Sequence, residues 1–304
     1  MVWSGRGATG RAAMAPAVVV DGLAVYVLGS GGEPVLLMPG PHRFQRPGLR
    51  SADTLISGLV GLGRVVVTFD PPGSGHSTRP ASLGMPEMVE CTAEALAAAG
   101  VEGPVDAVGH SMGGMALLAF ALAHPDQVKR LALIGTGRGG GTYLRAPGAL
   151  WNRHHAGFPG LALLGSVHLT LGRLGSERVL NNYIERHSFV DQTHAHPTPV
   201  HLGDWLRRRA GRADWHRIAR TLDYGPRLPE IVAPTLVLCG RHDPQFPLPC
   251  SLELATDIPG ARLVVFDRSG HYPFIEEPDT FWATVAAFLA PPADTDTRRS
   301  APSG

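Results

Sequence analysis

A serine set among glycines is the first feature of this sequence with chemical consequences: Gly109-His110-Ser111-Met112-Gly113, with Gly114 behind it. A G-x-S-x-G pentapeptide makes a sharp turn that presents a serine hydroxyl, provided a buried strand leads in and a helix leads out. Here the apolar run 104–109 leads in and the Ala/Leu-rich stretch 112–124 leads out. The helix N-terminus behind Ser111 brings N–H groups and a positive dipole end to the place where an oxyanion would develop. Taken by itself, the motif also fits an ordinary helix-capping serine.

A nucleophilic serine needs a base and a group to orient that base. In strand–elbow–helix hydrolases these follow in the order serine, acid, histidine. Downstream, the apolar run 234–240 ends in Gly240-Arg241-His242-Asp243-Pro244, which puts a carboxylate just past a buried strand. The run 262–266 is followed by Asp267-Arg268-Ser269-Gly270-His271-Tyr272-Pro273, which puts a histidine in the next strand-end loop. A neutral His271 there would take the Ser111 proton, and Asp243 would hold its tautomer and stabilise the imidazolium.

The elements that must position these residues are legible as alternating patterns. Residues 17–20 and 23–28 predict a strand pair joined at Asp21-Gly22, a hairpin turn signal. Apolar runs at 34–38, 64–69, 104–109 and 131–135 read as buried strands, and 52–61, 86–99 and 112–124 as helices. Strands apolar throughout, alternating with helices, predict a mostly parallel sheet covered on both faces. From 138 to 228 the pattern breaks into mixed helical stretches. It returns at 234–240 and 262–266, and an amphipathic helix spans 279–290. The expected organisation is a core from 16–137 and 229–290, a helical cap at 138–228, and disordered ends at 1–15 and 291–304.

With these motifs in place, the chain resembles the capped, serine-nucleophile branch of the α/β hydrolases. The resemblance rests on GHSMGG at 109–114, DPPGSGHS at 70–77, GRHDP at 240–244 and SGHYPFIEEPDTF at 269–281. It covers about 20–137 and 230–290, and it is specific to the superfamily rather than to one activity. It implies Ser111, Asp243 and His271 as a catalytic triad and the Met112 N–H as one oxyanion donor. The loop after the third strand departs from the usual His-Gly-x pattern and reads Met38-Pro39-Gly40-Pro41-His42. Proline has no N–H to give, so Gly40 rather than Pro41 is assigned as the second donor. Pro41, His42, His110, Trp151 and Trp205 are the candidate substrate contacts, with Phe158, Trp215 and Tyr224 as further aromatic residues of the cap.

Composition bounds the partners. The 304 residues carry 27 Lys+Arg against 26 Asp+Glu, a net charge of +1 that argues against a nucleic-acid binder. The three cysteines, Cys91, Cys239 and Cys250, are far apart and fit neither a disulfide framework nor a zinc site. His194, His196 and His201 lack Cys or carboxylate partners at ligand spacing, so no metal is assigned. No phosphate-cradling loop or dinucleotide fingerprint occurs, and no cofactor is expected. The first fourteen residues have no apolar run of signal-peptide kind, no segment has spanning length, and a cytoplasmic protein is expected.

Residues 138–228 hold 13 Arg, no Lys and six acids, a net +7 that leaves −6 for the rest of the chain. Arginine suits planar recognition of carboxylate or phosphate. That points to an anionic substrate or acyl carrier at the cap, against the simpler reading of a solvated basic surface. The sequence therefore predicts a hydrolase of an ester, thioester or similarly activated acyl bond in a small molecule. C–C bond hydrolysis belongs to the same branch. A ligand receptor, or a cyclase or lyase using the same pocket, is the alternative that the residues leave open.

Overall fold

The computed structural model describes residues 15–40, 50–80, 84–206 and 221–291. Eight strands form one sheet: β1 (Val18–Val20), β2 (Leu23–Leu28), β3 (Pro34–Met38), β4 (Val65–Phe69), β5 (Val105–His110), β6 (Val128–Ile134), β7 (Thr235–Gly240) and β8 (Arg262–Phe266). Their order is β1-β2-β4-β3-β5-β6-β7-β8. β1–β2 and β2–β4 are antiparallel, and every later pair is parallel. Asp21 (φ 45°) and Gly22 (φ 76°) make the β1–β2 turn. Two consecutive positive φ values are what a tight hairpin turn of matching twist requires.

Period-two alternation splits the sheet's apolar side chains between two faces. Leu36, Met38, Leu131, Leu133 and Val237 face one core, which α2 (Met85–Ala98), α3 (Met112–Ala123) and α8 (Leu248–Asp257) cover. Val35, Leu37, Ala132, Ile134, Leu236 and Leu238 face the other, under α1 (Arg50–Gly61), α9 (Pro273–Glu276) and α10 (Pro278–Leu289). α3 is apolar all round and buried from Met112 to Ala121, as an inner helix must be. α1 and α10 approach closely because Gly58 has no side chain: a Cβ there would fall 1.9 Å from the Trp282 ring.

β6 starts three residues before the apolar run at 131. The extra turn of strand is hidden in the sequence because Arg130 is charged, and the structure gives that charge a buried partner. Asp106, 2% exposed, receives Arg130 Nε at 2.7 Å and Arg64 Nη1 at 3.1 Å. The same guanidinium groups reach the carbonyls of Phe288, Leu289 and Ala290, at the end of α10. Cations suit a helix C-terminus, so this cluster fastens the last helix to the sheet at the amino-terminal end of β5.

Between β6 and β7 the described chain is helical: α4 (Thr142–Arg145), α5 (Phe158–Leu171), α6 (Leu174–His187) and α7 (Leu202–Leu206). No helix among the described residues is long and apolar enough to cross a membrane. Apart from Ala15 and Pro291, the two ends expected to be disordered lie outside the described residues.

Asp106→Ala leaves two guanidinium groups without their carboxylate, and breaking a buried ion pair costs about 3–5 kcal/mol. Urea unfolding is expected to show that loss. A change below about 1 kcal/mol would give the cluster only the weight of a surface pair.

Candidate active site

β3 lies between β4 and β5, so the chain leaves its carboxyl end in one direction and the carboxyl end of β5 in the other. A crevice opens where strand order reverses in this way, and α/β proteins build their sites there. Pro39 and Gly40 leave β3 at this edge, Ser111 follows β5, Asp243 follows β7 and His271 follows β8.

Ser111 adopts φ 56° and ψ −126°, a region that non-glycine residues seldom enter and that costs on the order of 1–3 kcal/mol. The surroundings hold it there. Its N–H donates to Ile134 O at 2.8 Å, and its carbonyl accepts Gly114 N at 3.0 Å and Thr136 Oγ1 at 2.7 Å. The glycines make room for the turn. A Cβ on Gly113 would fall 2.5 Å from Met38 O, and one on Gly114 2.6 Å from Thr136 Cγ2. The turn therefore needs both glycines and the fully buried Thr136, which sequence spacing did not single out.

His271 and Asp243 form a buried pair, Nδ1 to Oδ2 at 2.8 Å, with side chains 2% and 0% exposed. The other Asp243 oxygen accepts the N–H groups of Gln245 (2.7 Å) and Phe246 (2.9 Å). Those two bonds fix the carboxylate plane, leaving Oδ2 aimed at the imidazole. An Asp followed by a turn that returns N–H groups two and three residues later is a recognisable sequence signal, and it was the one available for Gln245. Gly135, at the end of β6, keeps the neighbouring space clear, since a Cβ there would stand 3.1 Å from Asp243 Oδ2 and 3.2 Å from His271 Nδ1.

His271 is also held through its backbone. Its N–H donates to Ser188 O at 2.7 Å, and its carbonyl accepts His110 Nε2 at 3.0 Å. A carbonyl can only accept, so His110 carries its proton on Nε2. The His110 ring lies 4.6 Å from the His271 ring and edge-on to Phe274. Phe246 stacks at 6.1 Å on the His271 imidazole, and Phe189 stacks at 4.7 Å on Tyr272. His110, expected as a substrate contact, thus bonds the backbone of the loop that carries His271, and the rings around His271 belong largely to residues the sequence did not nominate.

The other candidates separate. Gly40 N lies 3.3 Å from where a Gly113 Cβ would stand, so the β3 loop abuts the start of α3, the helix that begins with Met112. Pro41 and His42 lie outside the described residues, as does Trp215. Trp151 packs against the larger core, and Trp205 lies on α7 against Gly175 of α6. Neither tryptophan is brought to the His271–Asp243 pair by the contacts described. His76 bonds Tyr26 Oη through Nδ1 at 2.9 Å and Asp70 through its backbone N–H at 2.7 Å, bracing the loop after β4. Among the described residues no group of three or more His, Cys, Asp or Glu converges as a metal site would.

Most described arginines of residues 138–228 already have protein acceptors. Arg138 meets Asp223 and Glu253, Arg227 meets Glu230, and Arg173, Arg178 and Arg145 donate to carbonyls. Arg207, Arg208, Arg209, Arg212, Arg217 and Arg220 fall outside the described residues. A cavity of about 450 Å³ opens between α5, α6 and residues 192–197, beside Tyr183 and Glu185. Burial pushes the Glu185 carboxyl up, against the pull of the nearby Arg50 guanidinium.

The fold and the site together define a class. The family model described as "alpha/beta hydrolase fold" matches residues 45–162 and 203–278, and the chain belongs to that family, as an α/β-hydrolase-fold enzyme. Among curated proteins it is similar to the 2-hydroxy-6-oxononadienedioate/2-hydroxy-6-oxononatrienedioate hydrolase of Cupriavidus pinatubonensis, with 30% identity over 86% of this chain and 88% of that one. Among solved structures it is similar to an α/β fold family hydrolase from Bacillus anthracis (TM-score 0.70, 21% identity, 88% of this chain and 95% of that one). An esterase from Exiguobacterium antarcticum has TM-score 0.66 and 22% identity over 90% of this chain and 99% of that one.

All three thiols are buried, and burial pushes them up: Cys91 and Cys239 to about 11, Cys250 to about 12. A raised thiol stays protonated at neutral pH, and the thiolate is the reactive form. The native protein is therefore expected to resist Ellman's reagent at pH 7–8 and to release all three thiols on denaturation. Rapid reaction in the native state would contradict this burial.

Proposed function

We propose that Ser111 is the nucleophile, His271 the general base and acid, and Asp243 the carboxylate that orients it, in hydrolysis of a carbonyl bond in an anionic small molecule. The observation that carries this reading is the buried His271–Asp243 pair, 2.8 Å apart, at the sheet edge where Ser111 is held in its strained turn. Ser111 Oγ attacks the substrate carbonyl carbon while His271 takes its proton. The negative charge gathers on the carbonyl oxygen beside the start of α3, where the N–H groups of Met112 and Gly40 are the proposed donors. Collapse of that intermediate expels the leaving group, which receives the proton from His271. Water, activated in turn by His271, releases the acyl group from Ser111.

The leaving group distinguishes two readings. With oxygen or sulfur, the protein is an esterase or thioesterase. The second reading, C–C bond hydrolysis, is favoured by the similarity to the Cupriavidus pinatubonensis enzyme over most of both chains. A 2-hydroxy-6-oxo dienedioate has a conjugated enol and ketone and no ester. Its hydrolysis must break the C–C bond beside the ketone. The dienol first ketonises, its hydroxyl proton being lost and a proton being added at the carbon beside the ketone. After Ser111 attacks the ketone, that carbon departs as a dienolate stabilised by the new 2-oxo group and takes up the proton held by His271. Such a dicarboxylate also suits the positive charge of residues 138–228.

A fluorophosphonate probe with mass spectrometry is expected to label Ser111, and Ser111→Ala to abolish both labelling and turnover, by roughly 10⁴–10⁶-fold. A folded protein that stays unlabelled, or that labels elsewhere, overturns the assignment. Asp243→Asn keeps the shape but reverses the hydrogen bond to Nδ1, with an expected loss of about 10⁴ in kcat. Competing p-nitrophenyl esters with a 2-hydroxy-6-oxo dienedioate then decides the bond class. For an anionic substrate, kcat/KM is expected to fall as salt rises from about 0.01 to 0.1 M, where the screening length drops from ~30 to ~10 Å. Salt-independent kinetics would remove the anionic substrate from the proposal.

A further inference from the structure

The segment Gly270–Pro278 carries two adjacent glutamates, Glu276 and Glu277, that the proposed reaction does not use. Their bonds are unlike those of surface carboxylates. Glu276 Oε2 accepts the Gly270 N–H at 2.7 Å, one residue before His271. Its Oε1 accepts the N–H groups of Val190 at 2.7 Å and Asp191 at 3.1 Å, just past the end of α6. One carboxylate thus gathers three backbone donors from two segments some eighty residues apart in the chain. Glu277 stays local: Oε2 takes the Arg268 N–H at 2.9 Å and Ser269 Oγ at 2.6 Å.

The two segments also meet directly. Ser188 O accepts the His271 N–H, and Ser188 Oγ accepts Gln245 Nε2 at 2.9 Å, beside Asp243. A Cβ on Gly270 would fall 2.2 Å from Ser188 O, so only glycine lets the segments come this close. Backbone N–H groups withdrawn from water need acceptors, and a charged acceptor holds them more strongly than a neutral one.

We infer that Glu276 is a positioning residue that ties residues 188–191 to the loop carrying His271, so that the seat of the helical segment sets the seat of the proposed base. The inference rests on the assignment of His271 above. It gives that segment a part in holding the catalytic histidine. Glu276→Gln is the informative substitution. It preserves size but turns an N–H₂ group toward backbone donors at one of the two segments, and that contact is lost.

The test compares fluorophosphonate labelling of wild type and Glu276→Gln across pH, together with kcat and KM on whichever substrate the panel selects, and Tm. A positioning role predicts a loss of roughly 10–100-fold in labelling rate and kcat, the scale of a displacement near 1 Å. KM should change little, and the acid limb of the labelling profile should shift, since His271 loses its fixed seat. A purely structural role would lower Tm and leave the folded protein's labelling rate and pH profile unchanged, which overturns the inference. If Glu276→Gln does not fold, Val190→Pro decides, because it deletes one of the three donors on the exposed side without touching the carboxylate. A smaller loss of the same kind supports the inference, and wild-type kinetics overturn it. Should wild type itself not label, the assignment of Ser111 and His271 fails first. Labelling of wild type with unchanged behaviour in both variants removes Glu276 alone.

Discussion

The site depends on one backbone conformation, the left-handed turn at Ser111. A residue with a side chain resists that geometry, and the fold must overdetermine it. Strand β5 delivers the chain between β3 and β6, the most enclosed place in the sheet, where the Ser111 N–H finds Ile134 O. Thr136 then seizes the Ser111 carbonyl, and glycines at 109, 113 and 114 keep every neighbouring backbone atom out of collision. The helix that follows is buried on all sides because it must start at that point and run behind the sheet. Once the turn is fixed, the chemistry proposed above still requires a base beside it.

That requirement is met by geometry of a different kind. Asp243 and His271 sit on loops, and loops have no ladder to hold them. Their places come from backbone bonds made to carboxylates and carbonyls: Gln245 and Phe246 N–H on Asp243, Ser188 O on the His271 N–H, His110 on the His271 carbonyl. Buried polar groups must be hydrogen-bonded, and both Asp243 oxygens are, Oδ2 to the imidazole and Oδ1 to two backbone N–H groups.

What was legible in the sequence follows the same division. Apolar runs reported seven of the eight strands closely, because the inner strands are buried on both faces and leave no polar trace to confuse the pattern, and the partly exposed β1 and β8 are largely apolar as well. The start of β6 was hidden by Lys129 and Arg130: Lys129 is exposed, and the charge of Arg130 answers to Asp106 on the neighbouring strand rather than to local periodicity. Ser111, Asp243 and His271 were legible because they sit at strand ends in a fixed chain order. Thr136, Ser188 and Glu276 were not, since each acts through backbone contacts with a distant segment that leave no spacing to read, whereas Gln245 had only the local Asp-turn signal at Asp243. Pro41 and His42 were nominated from the departure in the β3 loop and lie outside the described residues. The tryptophans were nominated for being aromatic within the cap. Trp151 packs against the larger core and Trp205 against Gly175, while Phe246 and Tyr272 lie beside the histidine.

The strand order has one more implication. Ser111 hangs from β5, which has a strand on each side, whereas His271 hangs from β8, which has a partner on one side only. Edges of a sheet fray before its middle, because half of their ladder is missing and local opening is correspondingly easier. The two halves of the proposed catalytic apparatus therefore sit at opposite ends of a gradient of local stability. With His271 as the base proposed above, gentle warming is expected to loosen its loop before the serine elbow, so that heat inactivation begins at the sheet's periphery rather than in its middle.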